Sequence, residues 1–253
     1  MRAIEEMSVL ITGGGSGIGA GVARWYVTRG ALVTICGRRA DKVQEVAAEL
    51  GAHCRGVFAD VTNSDERAEA ITAAVEHGGG LDGLVHCAGN MYRGAITELD
   101  EQALLNVFHT NVVGSMLLTG LAVPHLQTRR GGVVFIGSVH TRRAFPGASP
   151  YAATKGAIEA LTKVLAAELG EKHIRVSCVV PGAVPTEINQ RAGVFDATAD
   201  TARYRALAPL HALGRIGTAE EVAEAIDYLL RAEWTTGAVL DVDGGLGLGV
   251  TQA

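Results

Sequence analysis

Seven short apolar runs alternate along the chain with longer stretches of helical period, and this alternation limits the fold more than any other feature. The runs are 8–12 (SVLIT), 31–36 (ALVTIC), 53–58, 81–86 (LDGLVH), 132–137 (GVVFIG), 174–180 (IRVSCVV) and 238–242 (AVLDV). Helical patterns lie near 17–29, 40–50, 64–77, 98–127, 150–170 and 218–231. Near-continuous apolar strands are buried on both faces, which is a property of parallel sheets covered by helices. Strand–helix–strand order then implies right-handed crossovers in one sheet. The expectation is an α/β fold with about seven parallel strands, helices on both faces, and a single domain over 1–253. Residues 183–217 interrupt the alternation with scattered Pro, Gly, Thr and Arg, and read as a substrate lid over one end of the sheet.

Composition narrows the function. A chain of 253 residues with 48% apolar content supports a large core. Its 33 glycines exceed the usual share of about 7%, yet there is no triplet repeat and only 6 prolines, which excludes collagen. The net charge of −5 gives no general field toward nucleic acid or anionic lipid. Cys36, Cys54, Cys87 and Cys178 are widely spaced in or beside apolar runs, so reduced, buried thiols are expected. No H-E-x-x-H or Cys/His cluster suggests a metal. The N-terminus is a poor signal peptide, with two glutamates before a short apolar run. Residues 103–128 lack charge, but Asn106, His109, Thr110, Asn111, Pro124 and His125 argue for a buried or subunit-contacting helix rather than a membrane span. A soluble, cytoplasmic protein is expected.

The first strand runs into Thr12-Gly13-Gly14-Gly15-Ser16-Gly17-Ile18-Gly19 and then a helix. Glycine permits the sharp turn and lets backbone approach a phosphate without a Cβ in the way. The helix N-terminus aims amide N–H groups at the same anion, at the carboxyl end of a parallel strand. A glycine turn can serve tight packing alone, but between a first strand and a helix the expectation is a dinucleotide site in a doubly wound, Rossmann-type sheet. With no G-x-x-x-x-G-K-[ST], a nucleotide triphosphatase is not indicated. The second strand ends in Cys36-Gly37-Arg38-Arg39 with no acid. A guanidinium forks onto phosphate oxygens, so Arg38 and Arg39 favour NADP(H), with NAD(H) as the alternative if they only begin a solvated helix. Asp60, beside Val61, either accepts from the adenine amino group or caps the next helix.

Ser138 follows the fifth strand, and Tyr151-Ala-Ala-Thr-Lys155 opens a helix. Tyr151 and Lys155 at i and i+4 share one helical face. A phenol in water keeps its proton to about pH 10. A neighbouring ammonium favours the phenolate. Ser138 can hydrogen-bond a substrate oxygen beside that hydroxyl.

These motifs in this order resemble the short-chain dehydrogenase/reductase family over nearly the whole chain. The likeness rests on Thr12–Gly19, Ala88-Gly89, Asn111, Ser138, Tyr151, Lys155 and Pro181-Gly182-Ala-Val-Pro-Thr186. It implies direct hydride transfer between a nicotinamide and a ketone, aldehyde or alcohol. Tyr151 is then general acid in reduction and base in oxidation, assisted by Lys155, which also holds the nicotinamide ribose. Ser138 polarises the carbonyl, and Asn111 holds a relay water or else merely bends its helix. Gly13, Ser16, Gly17, Ile18, Gly19, Arg38, Arg39, Asp60, Val61, Ala88, Gly89, Pro181, Gly182, Val184 and Thr186 are implied cofactor contacts. The family's common Asn-Asn-Ala-Gly is here His86-Cys87-Ala88-Gly89, which puts those asparagine hydrogen bonds in doubt, and the Asn common before the serine is replaced in Phe135-Ile136-Gly137-Ser138.

Met91, Tyr92, Arg93, His140 and Phe145, with the lid, are the expected substrate-pocket walls. Arg142 and Arg143 either meet an anionic substrate or lie on a solvated loop. The chain is also similar to 3-oxoacyl-carrier-protein reductases, which implies an acidic acyl carrier protein docking at Arg129, Arg130 and Lys172. A rival of another class is a dinucleotide-sensing protein without catalysis, which typically loses the tyrosine or lysine retained here. The uncharged helix and the 151–170 helix imply a homo-oligomer, a dimer or tetramer.

Overall fold

The computed structural model describes residues 2–194 and 196–249. All seven strands pair in parallel in the order β3-β2-β1-β4-β5-β6-β7. They are β1 (Ser8–Thr12), β2 (Leu32–Gly37), β3 (Cys54–Phe58), β4 (Gly83–His86), β5 (Gly132–Ile136), β6 (Arg175–Pro181) and β7 (Val239–Val242). The helices are α1 (Gly17–Val27), α2 (Ala40–Leu50), α3 (Ser64–Gly78), α4 (Glu101–Phe108), α5 (Gly114–Arg129), α6 (Ser149–Gly170), α7 (Ile188–Arg191), α8 (Ala197–Leu207) and α9 (Ala219–Arg231).

Strand periodicity splits the core in two. Val9 and Ile11 of β1 point to one face, where α1, α2 and α9 pack through Val22, Tyr26, Val43, Val46, Ile226 and Leu230. Leu10 points to the other, against α3, α5 and α6 through Ile71, Leu118, Leu126, Ile158 and Leu169. Both faces of the central strands are therefore covered, as the doubly wound reading requires. The strand order reverses between β1 and β4, and the loops leaving those two strands diverge there.

The helix expected over 98–127 is not continuous. Its second half begins after a π-helical turn at His109–Val113, between α4 and α5. Asn111 sits in that turn with both side-chain atoms engaged, and a π turn accommodates the inserted residue at the cost of regular i→i−4 bonding. The run Glu101–Arg129 is long and apolar enough to cross a membrane by composition, but 44% of its apolar window is buried inside the protein. The 183–217 insertion holds α7 and α8, tied together by buried Asp200, which accepts from Asn189 Nδ2 at 3.2 Å and Gln190 Nε2 at 3.3 Å.

Candidate active site

A cleft lies beyond the carboxyl ends of β1, β4, β5 and β6, at the point where the strand order reverses. Its floor at one end is the loop from β1 into α1. Gly13 has φ +66°, and a Cβ there would stand 2.8 Å from the Ala88 backbone nitrogen. A Cβ at Gly19 would meet the Gly13 carbonyl oxygen at 2.4 Å. Thr12 Oγ1 accepts from Ala88 N at 3.0 Å and holds the two diverging loops together. Ser16, the N-cap of α1, makes no side-chain cap bond to the helix. The first amides of α1 therefore face the cleft over a floor without side chains, which fits the pyrophosphate of a dinucleotide.

Gly13, Ser16, Gly17, Ile18 and Gly19 all line this cleft, as do Arg38, Arg39, Asp60, Val61, Ala88, Gly89, Pro181, Gly182, Val184 and Thr186. Arg38 lies 3.7 Å from Asp60 and donates to Asn90 Oδ1 at 3.0 Å. Asp60 does not cap α3. Asn63 does, accepting from the Asp65 and Glu66 amides, while Asp60 Oδ1 accepts from Thr62.

At the other end, Ser138, Tyr151 and Lys155 line the cleft together. Each is 7% exposed, so polar interactions there act away from bulk water. Pro150 fits the first turn of α6, where its missing N–H costs nothing. One helical turn then places Lys155 Nζ 5.4 Å from the centre of the Tyr151 ring. The ammonium donates to Ile136 O at 2.7 Å, which anchors it to the end of β5.

Asn111 reaches across from the π turn. Its Nδ2 donates to Asn90 O at 2.9 Å and Thr154 Oγ1 at 3.0 Å, and its Oδ1 accepts from Asn90 N at 2.8 Å. It does not line the cleft directly. A Cβ on Gly89 would fall 3.4 Å from Asn111 Oδ1 and 4.0 Å from Lys155 Nζ, so the three adjoin.

Ser138 Oγ lies 3.0 Å from His140 Nδ1 and accepts from the His140 amide at 3.3 Å. The His140 ring stacks edge-on against Tyr151 with centroids 5.2 Å apart, and against Phe145 at 4.4 Å. Burial, helped by the charges of Arg93, Arg203 and Lys155, pushes the imidazole down to about 4. At neutral pH it is uncharged. Burial likewise pushes the Cys87 thiol up to about 12, so this cleft-lining sulfur is no nucleophile at neutral pH.

Met91, His140 and Phe145 line the cleft, whereas Tyr92 and Arg93 do not. Tyr92 accepts from the Asp100 amide at 2.7 Å, and Arg93 donates to Pro146 O at 2.9 Å, so both spend their polar groups on the surrounding loops. Arg142 is taken up by Glu159 and Asp241, and Arg143 donates to Leu246 O. Neither lines the cleft. Unflagged polar and apolar lining residues include Asn90 and, from the 183–217 insertion, Glu187, Arg191, Arg203, Tyr204 and Leu207. Glu187, next to Thr186, and Asn90, between Gly89 and Met91, had a sequence signal in their positions. Tyr204 OH bonds the Thr186 amide at 3.2 Å from 18 residues away, a contact that no spacing rule encodes.

A family model described as enoyl-(acyl carrier protein) reductase matches residues 13–247. L-fucose dehydrogenase of Bos taurus is 37% identical, with 95% of this chain and 89% of the relative covered. 2-(S)-hydroxypropyl-CoM dehydrogenase 3 of Xanthobacter autotrophicus is 35% identical, with 96% and 97% covered. The chain is a short-chain dehydrogenase/reductase. Among solved structures, a 3-ketoacyl-(acyl-carrier-protein) reductase from Brucella melitensis complexed with NADH is 30% identical over 95% of this chain and 98% of its own, with a TM-score of 0.85. As a short-chain dehydrogenase/reductase, the protein is an oxidoreductase of the alcohol–carbonyl class that works with NAD(P).

Proposed function

We propose that the enzyme interconverts a ketone or aldehyde and its alcohol with Tyr151 as the proton-transferring group. The observation that carries this reading is the gathering of Ser138, Tyr151 and Lys155 at one end of a cleft whose other end fits a dinucleotide. A bound nicotinamide supplies the hydride in reduction and accepts it in oxidation. Tyr151 gives its hydroxyl proton to the nascent alkoxide, or takes the alcohol proton in the reverse direction. Lys155 stabilises the phenolate and offers its remaining donors to the nicotinamide ribose. Ser138 holds the substrate oxygen, and the neutral His140 orients its hydroxyl. Asn111 fixes the Asn90 backbone beside Lys155, supporting the family's relay role for it. Met91, His140 and Phe145 form the substrate wall with lid residues Arg203, Tyr204 and Leu207. The lid at 183–217 covers the bound substrate.

Arg38 and Arg39 at the end of β2 support NADP(H) over NAD(H). An acyl-carrier substrate has less support. Arg129 and Arg130 precede β5 and Lys172 precedes β6, at the strand ends opposite the cleft of the same chain. Arg129 also donates to Gly79 O at 2.7 Å. The retained Tyr151 and Lys155 support catalysis over dinucleotide sensing. Leu105, Val113, Met116, Leu117 and Leu121 form an exposed apolar stripe along α4, the π turn and α5, which supports a homo-oligomer.

Fluorescence titration with NADPH and NADH, followed by turnover on a panel of ketones and alcohols, tests the assignment. NADPH is expected to bind more tightly. Tyr151→Phe should keep wild-type cofactor affinity while turnover falls by about 10²-fold or more, the loss of a positioned acid/base. An unchanged rate would overturn the role of Tyr151.

A further inference from the structure

Both arginines that follow β2 are already partnered by acids. Arg38 faces Asp60, and Arg39 is held more tightly. Arg39 Nη1 donates to Glu187 Oε2 at 2.7 Å and its Nη2 donates to Ser16 Oγ at 2.7 Å. Glu187 comes from the start of the lid, and Ser16 is the residue before α1, its hydroxyl making no bond to that helix. One guanidinium therefore ties the lid to the phosphate end of the cleft, which all three residues line.

A guanidinium recognises phosphate through two parallel N–H donors on one edge. In Arg39 both terminal nitrogens are engaged, one by a carboxylate. A 2′-phosphate arriving at the end of β2 must take that edge from Glu187 or accept a carboxylate as near neighbour. Both alternatives weaken its binding. A cofactor with a free 2′-hydroxyl makes no claim on that edge. Other charged groups there include Arg191, which lines the cleft, donates to Gly89 O at 3.4 Å and lies within the fields of Arg38, Arg39 and Glu187, and Lys42, which donates to Glu45 at 2.7 Å and also feels the charge of Glu187. The phosphate end thus carries Arg38, Arg39 and Arg191 against Asp60 and Glu187.

We infer that Glu187 is a specificity-determining residue for the cofactor, competing with an adenosine 2′-phosphate for Arg39 and thereby restraining the preference for NADP(H). This rests on the reading that the adenosine ribose lies beside the end of β2. Glu187 is 44% exposed in its side chain, so the isosteric Glu187→Gln is expected to fold as wild type does.

The test titrates wild type, Glu187→Gln, Arg39→Ala and the double variant with NADPH and NADH by fluorescence, without substrate. Glu187→Gln should bind NADPH about three- to ten-fold more tightly than wild type, with NADH changed by less than about two-fold, the scale of losing one exposed charge partner. The gain should vanish in the Arg39→Ala background. An unchanged NADPH-to-NADH ratio in Glu187→Gln overturns the inference, as does an equal gain without Arg39. Tighter NADH binding by wild type would instead overturn the NADP(H) preference, and the shift caused by Glu187→Gln would still decide the role of Glu187.

Discussion

His86 ends β4 at a position where related sequences often carry asparagine, and the structure shows what the imidazole does there. It is stacked on Phe135 with centroids 4.7 Å apart, and its Nε2 pairs with Thr119 Oγ1 at 2.9 Å. Burial pushes it down to about 3, whereas an unfolded histidine titrates near 6.5. Between these values the unfolded chain binds a proton that the folded chain refuses. Stability therefore falls as pH drops from about 6.5 toward 3, by about 1.4 kcal/mol per unit. His86→Asn removes this contribution. Between pH 7 and pH 5 the variant should lose about 2 kcal/mol less stability than wild type, measured by urea unfolding at both pH values. Parallel losses would show that His86 is not held neutral. The asparagine hydrogen bonds placed in doubt by His86-Cys87 have a counterpart in Asn90, whose backbone and side chain bond Asn111 and Thr110. A different loop residue thus fills that place, and only contact in three dimensions reveals it.

Elements whose ends are fixed by local chemistry were readable from the chain. Helix α9 starts with a capping box in which Thr218 Oγ1 accepts from the Glu221 amide at 3.3 Å and Glu221 Oε2 accepts from the Thr218 amide at 2.9 Å. Arg215 adds a hydrogen-bonded charge pair that, more than the Thr218 contacts, holds the Glu221 carboxyl down to about 2. The apolar face of α9 packs on α1 through Val222, Ala223 and Ile226. Thr218→Ala should cost about 1 kcal/mol by chemical denaturation, since it leaves an N-terminal amide unpaired. A change indistinguishable from zero would mean that packing alone fixes this end. The π turn at Asn111 lies at the opposite extreme. Residues 98–127 have an unbroken helical pattern, and the interruption follows from Asn111 bonding to Asn90 and Thr154 on two other segments.

For the whole molecule, the sheet order brings Thr12, Ala88, Ser138 and Pro181 to one end although they are far apart in sequence. The same packing leaves Met116, Leu117 and Leu121 exposed while Leu118, Ala122 and Leu126 are buried. An apolar stripe of this kind on a long helix marks an association surface. Sedimentation at micromolar concentration should give a dimer or tetramer, and Leu117→Glu should shift it toward monomer with little change in folding. A wild-type monomer would reject assembly through this face.

The alternation of apolar strands and helices determined a parallel sheet, because strands buried on both faces need helices over each. The glycine loop and the Tyr151–Lys155 pair were legible because each depends on neighbours at fixed spacing along one turn or helix, and together with Ser138 they carried the likeness to a family of dinucleotide oxidoreductases. What only the tertiary structure decided involves partners on distant segments. Tyr92, Arg93, Arg142 and Arg143 carry suitable chemistry, yet their hydrogen bonds go to other segments and they lie outside the cleft. Glu187, Arg191, Arg203 and Tyr204 carry no motif, yet the 183–217 insertion folds them into it. A side chain's chemistry is local, but whether it meets a ligand depends on which backbone and charges reach it first.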